Sequence, residues 1–247
     1  MRKYFQAPWT FRETIFILFT TIALIALAIG ADSILNITDS FIDSDHRTIF
    51  ILGMLAVQWV LMLGPLFIVS KAKHKNRAKD YGIKKVPAIK TAGYVLGGYI
   101  KYIGLILILS MLVLYTNLKI PGFQAQENII PFFGESTSSI IVAGIVAIAL
   151  APVVEEIFFR GFLLRSLSNQ WGTLAGNLIT AGIFALFHMQ WQNIIPIFIL
   201  GIIINSITIR SKSIIPSIAF HAFNNAIAFI LSVLIIKDVI PIENITS

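Results

Sequence analysis

Apolar positions along this chain neither alternate nor keep to one helical face. They run on continuously and are broken by short polar segments. The runs fall at about 14–31, 49–69, 92–115, 138–164, 173–193, 194–209 and 214–236. Most approach the roughly 20 residues that an α-helix needs to cross a bilayer; the sixth is the shortest. A helix that is apolar all round is surrounded by protein or lipid, and within lipid the backbone must satisfy itself. The pattern predicts an all-α, polytopic integral membrane helical bundle of about seven transmembrane helices, as a single domain over 1–247. Residues 14–31 are longer than the ~7–15-residue core of a signal peptide and predict a retained first helix. Pro152 predicts a kink inside the fourth run.

Composition strengthens the membrane reading. The chain is 57% hydrophobic and 13% charged, where soluble domains carry roughly 25% charged residues. It has no cysteine, which excludes a disulfide frame, a thiolate metal site and a thiol nucleophile. The net charge of +7 invites a nucleic-acid reading, but its distribution argues for a bilayer instead. With a cytoplasmic N-terminus, 14 basic residues fall on cytoplasmic segments: Arg2, Lys3, Arg12, eight between Lys71 and Lys90, Arg165, Arg210 and Lys212. Only Arg47, Lys119 and Lys237 fall outside, together with Asp32, Asp39, Asp43, Asp45, Glu127, Glu135, Asp238 and Glu243. That asymmetry is the positive-inside pattern. It implies a multi-pass protein of the cell membrane with a cytoplasmic N-terminus, facing anionic lipid and no nucleic acid.

A few ionisable residues interrupt the apolar runs: Glu155, Glu156, Arg160, His188 and His221. A charged residue at a helix centre costs roughly 2.5–3.5 kcal/mol on insertion scales, so such residues are functional candidates. Glu156 and Arg160 are four apart with the acid first, so they share a helix face and can pair. Glu155 is turned about 100° away and has Phe158 and Phe159 at its i+3 and i+4 positions. The doublet therefore splits, with Glu156 braced by Arg160 and Glu155 free to point elsewhere. His221 has Asn225 at i+4, a polar stripe that interhelical hydrogen bonding alone could also explain. Counted from Arg165 and Lys212, Glu155 and His221 lie roughly 14–15 Å deep, and His188 about 22 Å from Thr173.

Glu and His together can hold and deprotonate a water, and His and Asn can donate to an oxyanion. Two His and a carboxylate also suit zinc with one open position, with Glu155, His188 and His221 as the ligands. No H-E-x-x-H is present. Asn225 on the face of His221 favours a water held directly by Glu155 and His188 over a bound metal.

Glu155-Glu156-x-x-x-Arg160, Phe184-x-x-x-His188 and His221-x-x-x-Asn225 resemble, in type, order and spacing, the three motifs of the CAAX-protease and bacteriocin-processing family (Abi, or CPBP) of intramembrane endopeptidases. The resemblance covers about residues 138–236. It implies peptide-bond hydrolysis in a membrane-associated peptide or protein, in a cavity open toward the cytoplasm. It further implies that Glu155 and His188 activate water, that His221 and Asn225 stabilise the oxyanion, and that Glu156 and Arg160 support them. The family is usually called metalloprotease, with a metal-free, glutamate-dependent mechanism also argued. Bacterial relatives are associated with bacteriocin processing or self-immunity, peptide pheromones and surface-protein display. The Ile- and Lys-rich, cysteine-free composition reads as bacterial. Two other classes compete. One is a non-catalytic membrane regulator or immunity protein, which degraded motifs would favour. The other is a transporter or proton relay, which paired half-repeats would favour.

Overall fold

The computed structural model describes residues 7–42, 46–74, 77–116, 119–124, 130–134 and 136–237. Of the charged residues that sort the loops, Arg2, Lys3, Asp43, Asp45, Lys75, Glu127, Glu135, Asp238 and Glu243 lie outside these. The elements are α1 (Phe11–Leu35), α2 (Ile37–Ile42), α3 (Arg47–Lys73), α4 (Ala88–Thr116), α5 (Ile130–Phe133), α6 (Thr137–Ile145), α7 (Ala151–Glu156), α8 (Leu164–Phe187), α9 (Ile194–Ser211) and α10 (Ile215–Ile236). Among the described residues there is no strand. Two π turns, Val146–Leu150 and Ile157–Leu163, join α6 to α7 and α7 to α8.

Among the described residues, six helical stretches are long and apolar enough to cross a membrane. Large side chains such as Phe19, Leu27, Val60 and Leu114 point outward from them, as a lipid-facing surface requires. The fourth stretch, Thr137–Phe187, has 51 residues. As one rod it would extend about 75 Å, more than twice a bilayer core. Gly172 breaks it, with φ 83° and ψ 165°, a backbone open to glycine. The arms then fold back on each other. A Cβ at Gly176 would stand only 2.7 Å from the Ser168 backbone nitrogen. The fourth and fifth apolar runs are thus successive limbs of a hairpin with almost no loop.

This turn corrects two expectations. The helix of the first limb does not end at Arg165, which is buried, but continues to the break at Gly172. The fifth run does not continue to 193: α8 ends at Phe187, and Met189 turns the chain with φ 52°. Glu155 lies 17 residues before Gly172 and His188 lies 16 after it, so the hairpin sets them level. The unequal depths counted from Arg165 and Thr173 disappear.

The two ends of the bundle are distinct. At one, Phe11 packs edge-on against Trp171 at 5.2 Å, Ile214 N donates to Gly82 O at 3.1 Å, and Ser213 Oγ donates to Lys84 O at 2.6 Å. This end gathers the basic segments. At the other, Arg47 donates to the Phe132 and Pro131 carbonyls at 2.9 and 2.6 Å, and Ile195 N donates to Gly122 O at 2.9 Å. Between the ends a core of Trp9, Leu66, Tyr81, Phe158, Phe162 and Phe184 packs around the first hairpin limb.

Candidate active site

Pro152 decides the local geometry before the two glutamates. It has no N–H and cannot donate to the preceding turn. The helix widens there, and Ala151 N–H reaches back five residues to Val146 O. Ala147 O is left with neither its α partner, Ala151, nor its π partner, Pro152. Asn225 of α10 fills the gap, its Nδ2 donating to Ala147 O at 2.9 Å. The kink expected at Pro152 is therefore a register change to π, and it ties α10 to the helix that carries Glu155. One of the two amide hydrogens of Asn225 is committed to that tie.

The doublet splits as its spacing predicts. Glu156 and Arg160 are fully buried and pair at 2.8 Å. The guanidinium also donates to Asn205 Oδ1 at 2.9 Å and to Gly201 O at 3.5 Å, and lies 4.3 Å from the Phe184 ring centroid, a cation–π distance. Asn205 in turn donates to Asn177 O at 2.9 Å. By contrast the Glu155 side chain is 22% exposed and turns toward the two histidines. Its Oε2 has no hydrogen-bond partner among the described residues.

Both imidazoles face that oxygen. His188 closes α8 as its C-terminal cap, and its Nδ1 lies 2.8 Å from Phe184 O. A carbonyl only accepts, so Nδ1 carries the hydrogen and, in the neutral ring, Nε2 presents a lone pair. His221 Nδ1 lies 2.9 Å from Glu156 Oε1, which already accepts from Arg160, so Nδ1 is again the donor. Nε2 of His188 and Nε2 of His221 then stand 4.0 and 3.9 Å from Glu155 Oε2. With both rings neutral and both carboxylates ionised, Glu155, Glu156 and Arg160 leave one uncompensated negative charge. A cation, or a second proton on an imidazole, balances it.

The donor set suits zinc in kind: two imidazoles and a carboxylate, with ring orientation fixed by outer partners. Its spacing is a different matter. Tetrahedral bonds of ~2.0–2.1 Å place donors about 3.4 Å apart, so each pair would close by about half an ångström. Among the described residues no three such side chains already stand at metal-holding separations. The 4.0 Å separation of Glu155 Oε2 and His188 Nε2 is the span of a bridging water. Placed ~2.8 Å from Glu155 Oε2 and His188 Nε2, it subtends about 90°, near its own bond angle.

A cavity of about 180 Å³ opens beside Glu155 and His188, lined also by Phe159, Phe187 and, from α3, Gln58, Trp59 and Met62. Gln58 and Asn205 lie outside the three motifs. Each is a lone side-chain amide in an otherwise apolar run, and that was the available signal.

The fold and site define a polytopic α-helical membrane protein built around a buried Glu–Glu–Arg–His–His cluster. Residues 137–227 match the family model described as Rce1-like, type II CAAX prenyl endopeptidase. The match spans all three motifs, 155–160, 184–188 and 221–225, and covers less than half of the chain. The chain is also similar to an uncharacterized 24.3 kDa protein of Escherichia coli, 28% identical over 122 residues, covering 45% of this chain and 56% of that protein. The match thus spans little more than half of that relative's length. No solved structure matches.

Proposed function

We propose that this protein is an intramembrane endopeptidase of the cell membrane, with its N-terminus cytoplasmic, that hydrolyses a peptide bond of a membrane-associated peptide or protein. The observation that carries this is the convergence of two imidazole nitrogens on the unpartnered Glu155 Oε2. A water between Glu155 and His188 donates one hydrogen to each acceptor. Its oxygen lone pairs are then left facing the cavity. Attack on the scissile carbonyl carbon forms the C–O bond as Glu155 takes the proton. The C=O pair becomes the oxyanion. Collapse re-forms the C=O bond and breaks the C–N bond, and Glu155 returns the proton to the leaving nitrogen. His221 serves the oxyanion as a donor through Nε2 only when doubly protonated, a state that also neutralises the cluster. Asn225 has its second amide hydrogen for the same task. Glu156 and Arg160 hold His221. Were zinc bound, Glu155, His188 and His221 would be its ligands, and it would polarise the carbonyl and acidify water.

The substrates proposed are bacteriocin precursors, peptide pheromones or surface proteins of the same membrane. The decisive test compares membrane and secreted peptides from cells carrying wild-type and Glu155→Gln protein. Wild-type-specific cleavage products should vanish in the variant while it accumulates normally. Near-normal turnover by purified Glu155→Gln would sink the assignment.

A further inference from the structure

Helix α3 lies outside the matched segment, yet it supplies one wall of the cavity beside Glu155. Gln58 stands 11 residues into α3, in a run with no other side-chain amide. An amide at that depth is unfavourable unless it finds a partner. Among the described residues no side chain or backbone group hydrogen-bonds it. Gln58 is exposed and forms part of the lining of the cavity that Glu155 and His188 also line. Trp59 and Met62 flank it, so on the α3 wall Gln58 brings the one side-chain amide, beside the indole N–H of Trp59.

We infer that Gln58 binds substrate, pairing its amide with the backbone of an extended peptide laid between α3 and Glu155. This rests on the hydrolase reading above and names how its substrate is held. A backbone peptide unit offers one acceptor and one donor. A glutamine amide offers both complements and carries no charge, so it adds nothing to the charge balance of the Glu155 cluster. A Lys or Glu at the same place would disturb that balance. Such pairing orients the scissile carbonyl over the water held by Glu155 and His188. Because it forms in ground state and transition state alike, its loss appears in KM and spares kcat.

The test uses an internally quenched peptide, chosen from a random-sequence library by wild-type cleavage. In parallel, fluorescein-labelled library peptides are titrated onto the Glu155→Gln protein, which reads binding without turnover. Gln58→Leu should raise KM about three- to tenfold, the worth of one neutral hydrogen bond, with kcat and Tm unchanged. It should weaken labelled-peptide binding to Glu155→Gln by the same factor. Wild-type hydrolysis with KM unaltered in Gln58→Leu overturns the inference and leaves the hydrolase reading standing. Peptide binding that depends on Gln58, without wild-type hydrolysis of any library peptide, keeps the inference and defeats the hydrolase reading. Peptides neither bound nor cleaved overturn both.

Discussion

Replacing Arg160 by Met separates charge from packing, because Met keeps most of the buried stem volume. Arg160 and Glu156 are both fully buried and share a 2.8 Å contact. Without the guanidinium, Glu156 retains only the His221 Nδ1–H as a hydrogen-bond partner. Breaking a buried pair from one side costs about 3–5 kcal/mol, since the orphaned charge stays in a dry site. For a chain of this size 1 kcal/mol moves Tm by roughly 2–4 °C, so the expected fall is about 6–20 °C. Adding Glu156→Gln removes the orphaned charge and keeps an acceptor for His221 Nδ1–H. The double variant should therefore recover more than half of the lost Tm. Thermal unfolding of the purified proteins in one detergent, followed by intrinsic fluorescence, measures all three. An Arg160→Met protein within ~2 °C of wild type, or a double variant no more stable than the single one, would refute the reasoning that an uncompensated charge dominates.

Glu155→Gln, which neutralises a partly solvated and unpartnered carboxylate, should leave Tm unchanged or raise it, measured in the same unfolding experiment. Asn225→Ala orphans Ala147 O and should cost about 1–3 kcal/mol. In a Pro152→Ala background the restored N–H can reach that carbonyl, so the cost should shrink, and equal costs in both backgrounds would count against the assigned tie. Gly176→Val should prevent the hairpin from closing, because its Cβ would meet Ser168 backbone atoms at 2.7–2.8 Å. Loss of folded protein in a detergent size-exclusion assay is the expected readout. In this cysteine-free chain, Asp39→Cys should react with an impermeant maleimide on intact cells and Lys85→Cys should not; the reverse pattern would invert the proposed orientation.

The charged members of the site were legible in the sequence for a single reason. An ionisable group in an apolar run is expensive and therefore conspicuous. Glu155, Glu156, Arg160, His188 and His221 all stood out on that basis, and the structure brings them together. The neutral amides cost less and so stand out less. Asn205, which holds the Arg160 guanidinium, and Gln58, which lines the cavity, were passed over. The hairpin turn was hidden for another reason. Gly172 sits between runs with no charged residue beside it, so the outermost charge, Arg165, looked like the edge of the membrane layer. The π turns leave a partial trace at best. Pro152 marks the first of them, while the second, Ile157–Leu163, has no proline to mark it.

The site residues are held less by the motif spacings than by the direction of donation through them. Asn177 O accepts from Asn205, Asn205 Oδ1 accepts from Arg160, Arg160 donates to Glu156, and His221 donates to the same Glu156 oxygen. The chain of bonds runs across the second hairpin limb, α9, the first limb and α10. Arg160 can only donate and the ionised Glu156 can only accept, so the last link places the ring hydrogen of His221 on Nδ1. Phe184 O fixes His188 in the same way from within its own helix. The result is two imidazoles that both offer Nε2 lone pairs to one carboxylate oxygen, although nothing on Glu155 itself imposes this. Only the Glu156 carboxylate decides the His221 tautomer: while it is ionised it accepts, and in the neutral ring the hydrogen sits on Nδ1. Asn205, absent from the three motifs, joins this network by accepting from the Arg160 guanidinium that pairs with Glu156.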